Sequence, residues 1–122
     1  MREAQTPEPN PKANPKANHC MVYVTASSKD EALQIGRVLV KERLAACANI
    51  LEGMHSIYRW QGAVEEAQET VLILKTRTQL AGKAIARVAA LHSYDVPCAV
   101  TYDMTNGLAA YLDWIDVSTS QV

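Results

Sequence analysis

Phenylalanine is missing from this 122-residue chain, and every aromatic side chain is a tyrosine (five) or a tryptophan (two). Each of those rings carries a polar handle that needs a partner when buried. Cysteine is scarce, at three residues. An odd count with no secretory segment ahead of it argues against a disulfide scaffold, so reduced thiols and a cytoplasmic setting are expected. No apolar run approaches the ~18 residues a membrane helix needs. Neither sign of charge dominates: 12 basic and 13 acidic residues leave a net charge of −1, too little to draw the chain to nucleic acid or an anionic membrane. Hydrophobic residues make up 48% and charged residues 20%, ordinary globular material at a length that suits one domain.

Proline is nearly absent beyond the first residues: Pro7, Pro9, Pro11 and Pro15 cluster there, and Pro97 is the exception. In the same stretch Asn10-Pro11-Lys12-Ala13 repeats as Asn14-Pro15-Lys16-Ala17. With almost no large apolar residue, residues 1–18 cannot bury enough surface to offset their ordering entropy. They are expected to form a disordered, polyproline-II-leaning tail. A targeting peptide is the alternative, and the missing apolar segment together with Glu3 and Glu8 argues against it. The folded domain is then 19–122.

That domain reads as alternating elements. Cys20–Thr25 is a β-branched and aromatic run, hence a strand. Ser28-Lys29-Asp30-Glu31 has the form of a capping box, and Ala32, Ile35, Gly36, Leu39 and Val40 follow at helical spacing. Residues 46–60 look extended, Gln61-Gly62 turns the chain, and Val64–Thr76 runs back. A second helix is expected over 79–92 and a fourth strand over 97–102. Asn106-Gly107 then breaks the chain before a short helix with Leu108, Tyr111, Leu112 and Ile115 on one side. The order β-α-β-β-α-β plus a terminal helix predicts an α+β, ferredoxin-like sandwich with a long hairpin between the second and third strands.

In such a fold the sheet face away from the helices should be polar. Here Met21-Val22-Tyr23-Val24 and Val71-Leu72-Ile73-Leu74 are apolar on both faces. The terminal helix is too short to cover that second face, which implies a partner subunit. A strand of a dozen residues also rises roughly 40 Å at ~3.3 Å per residue, so the tip near Trp60 should protrude and offer edges to a neighbour. A closed ring of subunits satisfies such edges.

Several segments together resemble the CutA family of divalent-cation-tolerance proteins. They are Lys41–Ile50 (KERLAACANI), Ser56–Gly62 (SIYRWQG), Glu69, Ile73–Thr76 (ILKT), His92–Pro97 (HSYDVP) and Tyr111–Ile115 (YLDWI), in order across almost the whole domain. The resemblance implies a homotrimer in which strands pair between subunits, and an association with copper and other divalent metal ions. A likeness in shape to nitrogen-regulatory signalling trimers offers the alternative of a small-molecule-binding regulator, which is analogy at the level of fold. The sequence departs from the family at one position. Where the family usually carries an acidic residue after the Tyr-x-x-Pro stretch, this chain has Cys98, and a thiolate favours softer ions than a carboxylate does.

The candidate metal ligands are Cys47, His92, Cys98, Cys20 and His19. Cys47 is either a buried small hydrophobe or, on the resemblance, a thiolate ligand. In His19-Cys20-Met21 regular strand geometry sends Cys20 to one face and its neighbours to the other, so the three chelate one ion only if the backbone is irregular. His92 is either a cation at a helix C-terminus or an imidazole ligand near Tyr94 and Cys98. No CxxC or HExxH spacing occurs, so a metal site must be assembled from distant segments or several subunits. Tyr58, Trp60, Lys75, Tyr94 and Trp114 are the candidate lining of an interface pocket, with Glu66 and Glu69 as expected partners of Lys75. No phosphate loop and no nucleophile with its base is apparent, so a non-enzymatic protein is expected, and no RNA-binding aromatic motif is present.

Overall fold

The computed structural model describes residues 17–121. The expected disordered tail, apart from Ala17 and Asn18, lies outside them. The elements follow the expected order. β1 is His19–Ala26, α1 Lys29–Lys41, β2 Cys47–Trp60, β3 Ala63–Arg77, α2 Ala81–Leu91, β4 Ala99–Met104 and α3 Ala109–Ser118. A single 3-10 turn, Thr78–Leu80, leads into α2. The four strands pair antiparallel in the order β2-β3-β1-β4.

Alternation along the strands sorts the side chains into two layers. Val22 and Val24 of β1 and Leu72 and Leu74 of β3 turn to one face. There they form the core with Ile35 and Leu39 of α1 and Ala84 and Val88 of α2. α1 approaches the sheet closely at Gly36, where an added Cβ would stand 2.9 Å from Ala48 Cβ. Inside this core the Thr76 hydroxyl has no hydrogen-bond partner.

The alternate residues face the other way, and α3 covers only one end of them. His19 Nε2 meets Asp116 Oδ1 at 2.8 Å, and Arg77 donates to the Thr119 hydroxyl (2.8 Å) and carbonyl (3.0 Å). Beyond α3 this face stays open: Val100 is 47% and Tyr102 54% exposed. As expected, apolar residues occupy both faces and one helix is too short to cover the second.

The hairpin holds a feature absent from the sequence reading. Leu51 pairs with Val71 and Met54 with Glu69, so Glu52 and Gly53 together stand opposite Thr70. This β-bulge, with Gly53 at φ +86°, moves β2 by one residue relative to β3. Cys47 and Asn49 share the open face before the bulge; after it the even-numbered residues do. The bulge therefore brings Met54, Ser56, Tyr58 and Trp60 onto the same face as Glu69 and Tyr23. Beyond this point β2 and β3 pair only with each other, and the turn at Gln61-Gly62 projects past the rest of the sheet. Among the described residues no helix is long and apolar enough to cross a membrane.

Candidate functional site

The loop from His92 to Cys98 is fastened at three places, and these fastenings shape the open face. Ser28 caps α1 as the sequence pattern predicts, its hydroxyl accepting from Glu31 N–H at 3.1 Å. Glu31, however, does not reach back to Ser28. Its Oε1 accepts from the Ser27 N–H (2.9 Å) and hydroxyl (2.8 Å), and its Oε2 accepts from the Ser93 N–H at 2.7 Å. Burial raises the pKa of this carboxyl, but the hydrogen bonds from Ser27 and Ser93 outweigh burial and hold it down at about 2.

His92 is the second fastening. Its side chain is fully buried. Nε2 lies 2.8 Å from the Thr25 carbonyl, and Nδ1 accepts from the Tyr94 N–H at 3.1 Å. A carbonyl only accepts and an amide N–H only donates, which assigns the neutral Nε2–H tautomer and leaves neither nitrogen for a metal. Tyr94 is the third, its hydroxyl donating to Glu69 Oε2 at 2.7 Å. Burial, reinforced by this hydrogen bond and the charge of Glu69, pushes the phenol well above its ordinary pKa.

Between this loop and the hairpin lies a cleft of about 740 Å³. The rings of Tyr23, Tyr58, Trp60 and Tyr94 line it, together with Met54, whose sulfur accepts from the Tyr23 hydroxyl at 3.4 Å. Glu69, Asp95 and Cys98 add polar groups. Three of the five residues expected in an interface pocket, Tyr58, Trp60 and Tyr94, thus meet in one cleft.

Lys75 and Trp114 lie elsewhere, at the end covered by α3. Lys75 Nζ stands 5.6 Å from the centroid of the Tyr111 ring, and Tyr111 packs against Trp114 at 5.5 Å. The Tyr111 hydroxyl is 3.7 Å from Cys47 Sγ. Its pKa is raised, first by burial and then by Cys47, with Lys75 opposing. The expected pairing of Lys75 with Glu69 or Glu66 does not form, because Glu69 serves Tyr94 and Glu66 Oε1 meets His55 Nε2 at 2.9 Å. Glu69 is six residues from Lys75 along β3, roughly 20 Å at ~3.3 Å per residue.

The candidate metal ligands are dispersed. Cys20 is 1% exposed and turned into the core, where burial raises its pKa against an opposing hydrogen bond from Thr78. His19 faces Asp116, and β1 is regular, so His19, Cys20 and Met21 do not converge. Cys47 sits beside Tyr111, and Cys98 sits in the cleft. Among the described residues no group of three or more His, Cys, Asp or Glu side chains is placed to hold a metal ion. The described donors of one chain therefore do not by themselves fit a resident metal. Sequence reasoning missed Met54, Glu31 and Asp116. Gly53 inside a strand-like run is the signal for the bulge that places Met54. The His19–Asp116 contact spans 97 positions and has no local signature.

These features define a class: ferredoxin-like α+β subunits with an overlong β2–β3 hairpin and a third helix on the second sheet face. The profile of the family described as CutA1 divalent ion tolerance protein matches residues 20–118. The chain belongs to this family. It is 48% identical over 99 residues to the divalent-cation tolerance protein CutA of Thermus thermophilus, covering 81% of this chain and 96% of that protein. The crystal structure of CutA from Xylella fastidiosa superposes with a TM-score of 0.83 at 40% identity, covering 85% of this chain and all of the other. A CutA structure from Archaeoglobus fulgidus, described as a periplasmic divalent cation tolerance protein, superposes at 0.81 with 38% identity, covering 84% and 99%.

Proposed function

We propose that this chain acts as a homotrimer in tolerance of divalent cations, copper among them, with any metal held between subunits rather than within one. One observation carries this reading. The sheet face opposite α1 and α2, which α3 covers only at one end, keeps large apolar side chains in water from Leu51 across to Val100 and Tyr102. Partner subunits cover that face and bring together donors that a single chain keeps apart. Cys47 and Cys98 are the candidate ligands left accessible, since His92 is held by backbone groups, His19 by Asp116 and Cys20 by the core. Thiol donors suit Cu(I) and Zn(II) better than hard ions. The role is non-enzymatic, and the three free thiols suit a reducing, cytoplasmic setting.

Native mass spectrometry with added Cu(I), Cu(II) and Zn(II) tests both parts, because it reports subunit number and metal count together. The expected result is a trimer whose metal uptake falls in Cys47→Ala and Cys98→Ala. Uptake unchanged in both variants removes the ligand assignment.

The cleft favours a second reading, in which the trimer is a regulator that binds a small molecule. Its volume of about 740 Å³ is in the range of cofactor and metabolite pockets.

A further inference from the structure

We infer that the cleft between the hairpin and the His92–Cys98 loop takes a small organic cation, an ammonium or quaternary ammonium compound. The inference rests on the reading of this cleft as a small-molecule site and supplies the ligand's chemical class. Four aromatic rings, Tyr23, Tyr58, Trp60 and Tyr94, line the same cavity. The face of an aromatic ring carries negative charge density and attracts a cation within about 6 Å, more strongly once water is displaced. Among the described residues no lysine or arginine lines the cavity, and the one histidine that does, His55, is engaged by Glu66.

The carboxylates complete the complement. Glu69 spends one oxygen on the Tyr94 hydroxyl and, among the described residues, forms no ion pair; neither does Asp95. Elsewhere the chain does pair carboxylates with cations, as with Arg87 and Glu42 at 2.9 Å and Lys29 and Glu52 at 3.6 Å. A half-buried carboxylate among aromatic rings with no cation of its own has a charge that a ligand can meet. Rings alone would accept any apolar body, and carboxylates alone would accept any cation. Together they select a cation with a hydrocarbon shell. Hydrated metal ions gain little from the rings, and anions are repelled.

Choline and its uncharged isostere 3,3-dimethyl-1-butanol separate these cases. Each is titrated into the full chain while Trp60 fluorescence is followed, with inorganic phosphate as the anionic probe. Trp60→Leu, which retains Trp114, serves as the blank. Choline is expected to quench saturably, and the alcohol to bind at least about tenfold more weakly. Glu69→Gln should weaken choline by a similar factor. Asp95→Asn, made in an exposed loop, provides a second carboxylate test should Glu69→Gln disturb the Tyr94 contact. Equal binding of choline and the alcohol, or preferential binding of phosphate, overturns the ammonium assignment while leaving a small-molecule site. No response to any of the three overturns the site itself.

Discussion

Glu31 shows how much one carboxylate organises here. It joins the start of α1 to the loop after α2, through Ser27 on one oxygen and Ser93 on the other. Its pKa falls from 4.5 to about 2 on folding, so it stabilises the fold fully above pH 4.5 and loses that contribution as pH drops through about 2. The shift corresponds to on the order of 3 kcal/mol. Urea unfolding at fixed chain concentration should show stability falling over this acid window, with a flatter profile and about 2–3 kcal/mol less stability at pH 7 in Glu31→Gln. An unchanged acid profile in the variant would remove Glu31 as the cause. The thiols divide in a similar way. Cys20, 1% exposed and with its pKa raised, should resist a thiol reagent until the chain unfolds, while Cys98 and Cys47 react first. Mass spectrometry of partly labelled protein assigns the order.

At the scale of elements, the bulge at Glu52-Gly53 has the widest consequence, because one added residue decides which face receives Tyr58 and Trp60. Gly53→Val forces a β-branched residue to φ +86° and should cost at least about 1–2 kcal/mol in thermal or urea unfolding. A smaller loss would mean that the bulge rearranges. Gly36→Val drives a side chain against β2 and should cost about 1–3 kcal/mol by overpacking. Periodicity made most elements legible in the sequence. The runs at Cys20–Thr25 and Val71–Leu74, the cap at Ser28 and the turn at Gln61-Gly62 depend on local stereochemistry, and each lies within a residue or two of its place. β4 starts two residues later than expected, running over Ala99–Met104 rather than 97–102, because Pro97 and Cys98 remain in the loop tied down by His92 and Tyr94. The site was legible only in part. Tyr58, Trp60 and Tyr94 stood out by resemblance, but their meeting with Met54 and Glu69 depends on a register shift. The partners of His19 and Lys75 come from α3, and contacts between residues so far apart in sequence leave no periodic trace.

For the molecule as a whole, the open sheet face and the projecting hairpin pose one physical problem. Ile57 and Val64 near the tip are 67% and 63% exposed, and Tyr102 and Val100 of β4 are about half exposed. Ile57 and Val64 share one face of the hairpin, and Val100 and Tyr102 share the open face of the sheet; exposed large apolar groups such as these mark association surfaces. Ile57→Lys with Val64→Lys should therefore weaken assembly while leaving the helix–sheet core intact, visible as a smaller particle in size-exclusion chromatography with unchanged far-ultraviolet circular dichroism. The proposed trimer would cover the open sheet face and bring the scattered donors together. Sedimentation equilibrium at micromolar concentration measures this assembly without reference to shape. The predicted result is a particle three times the 13.4 kDa of the chain. A particle of 13.4 kDa that persists at that concentration would contradict the account.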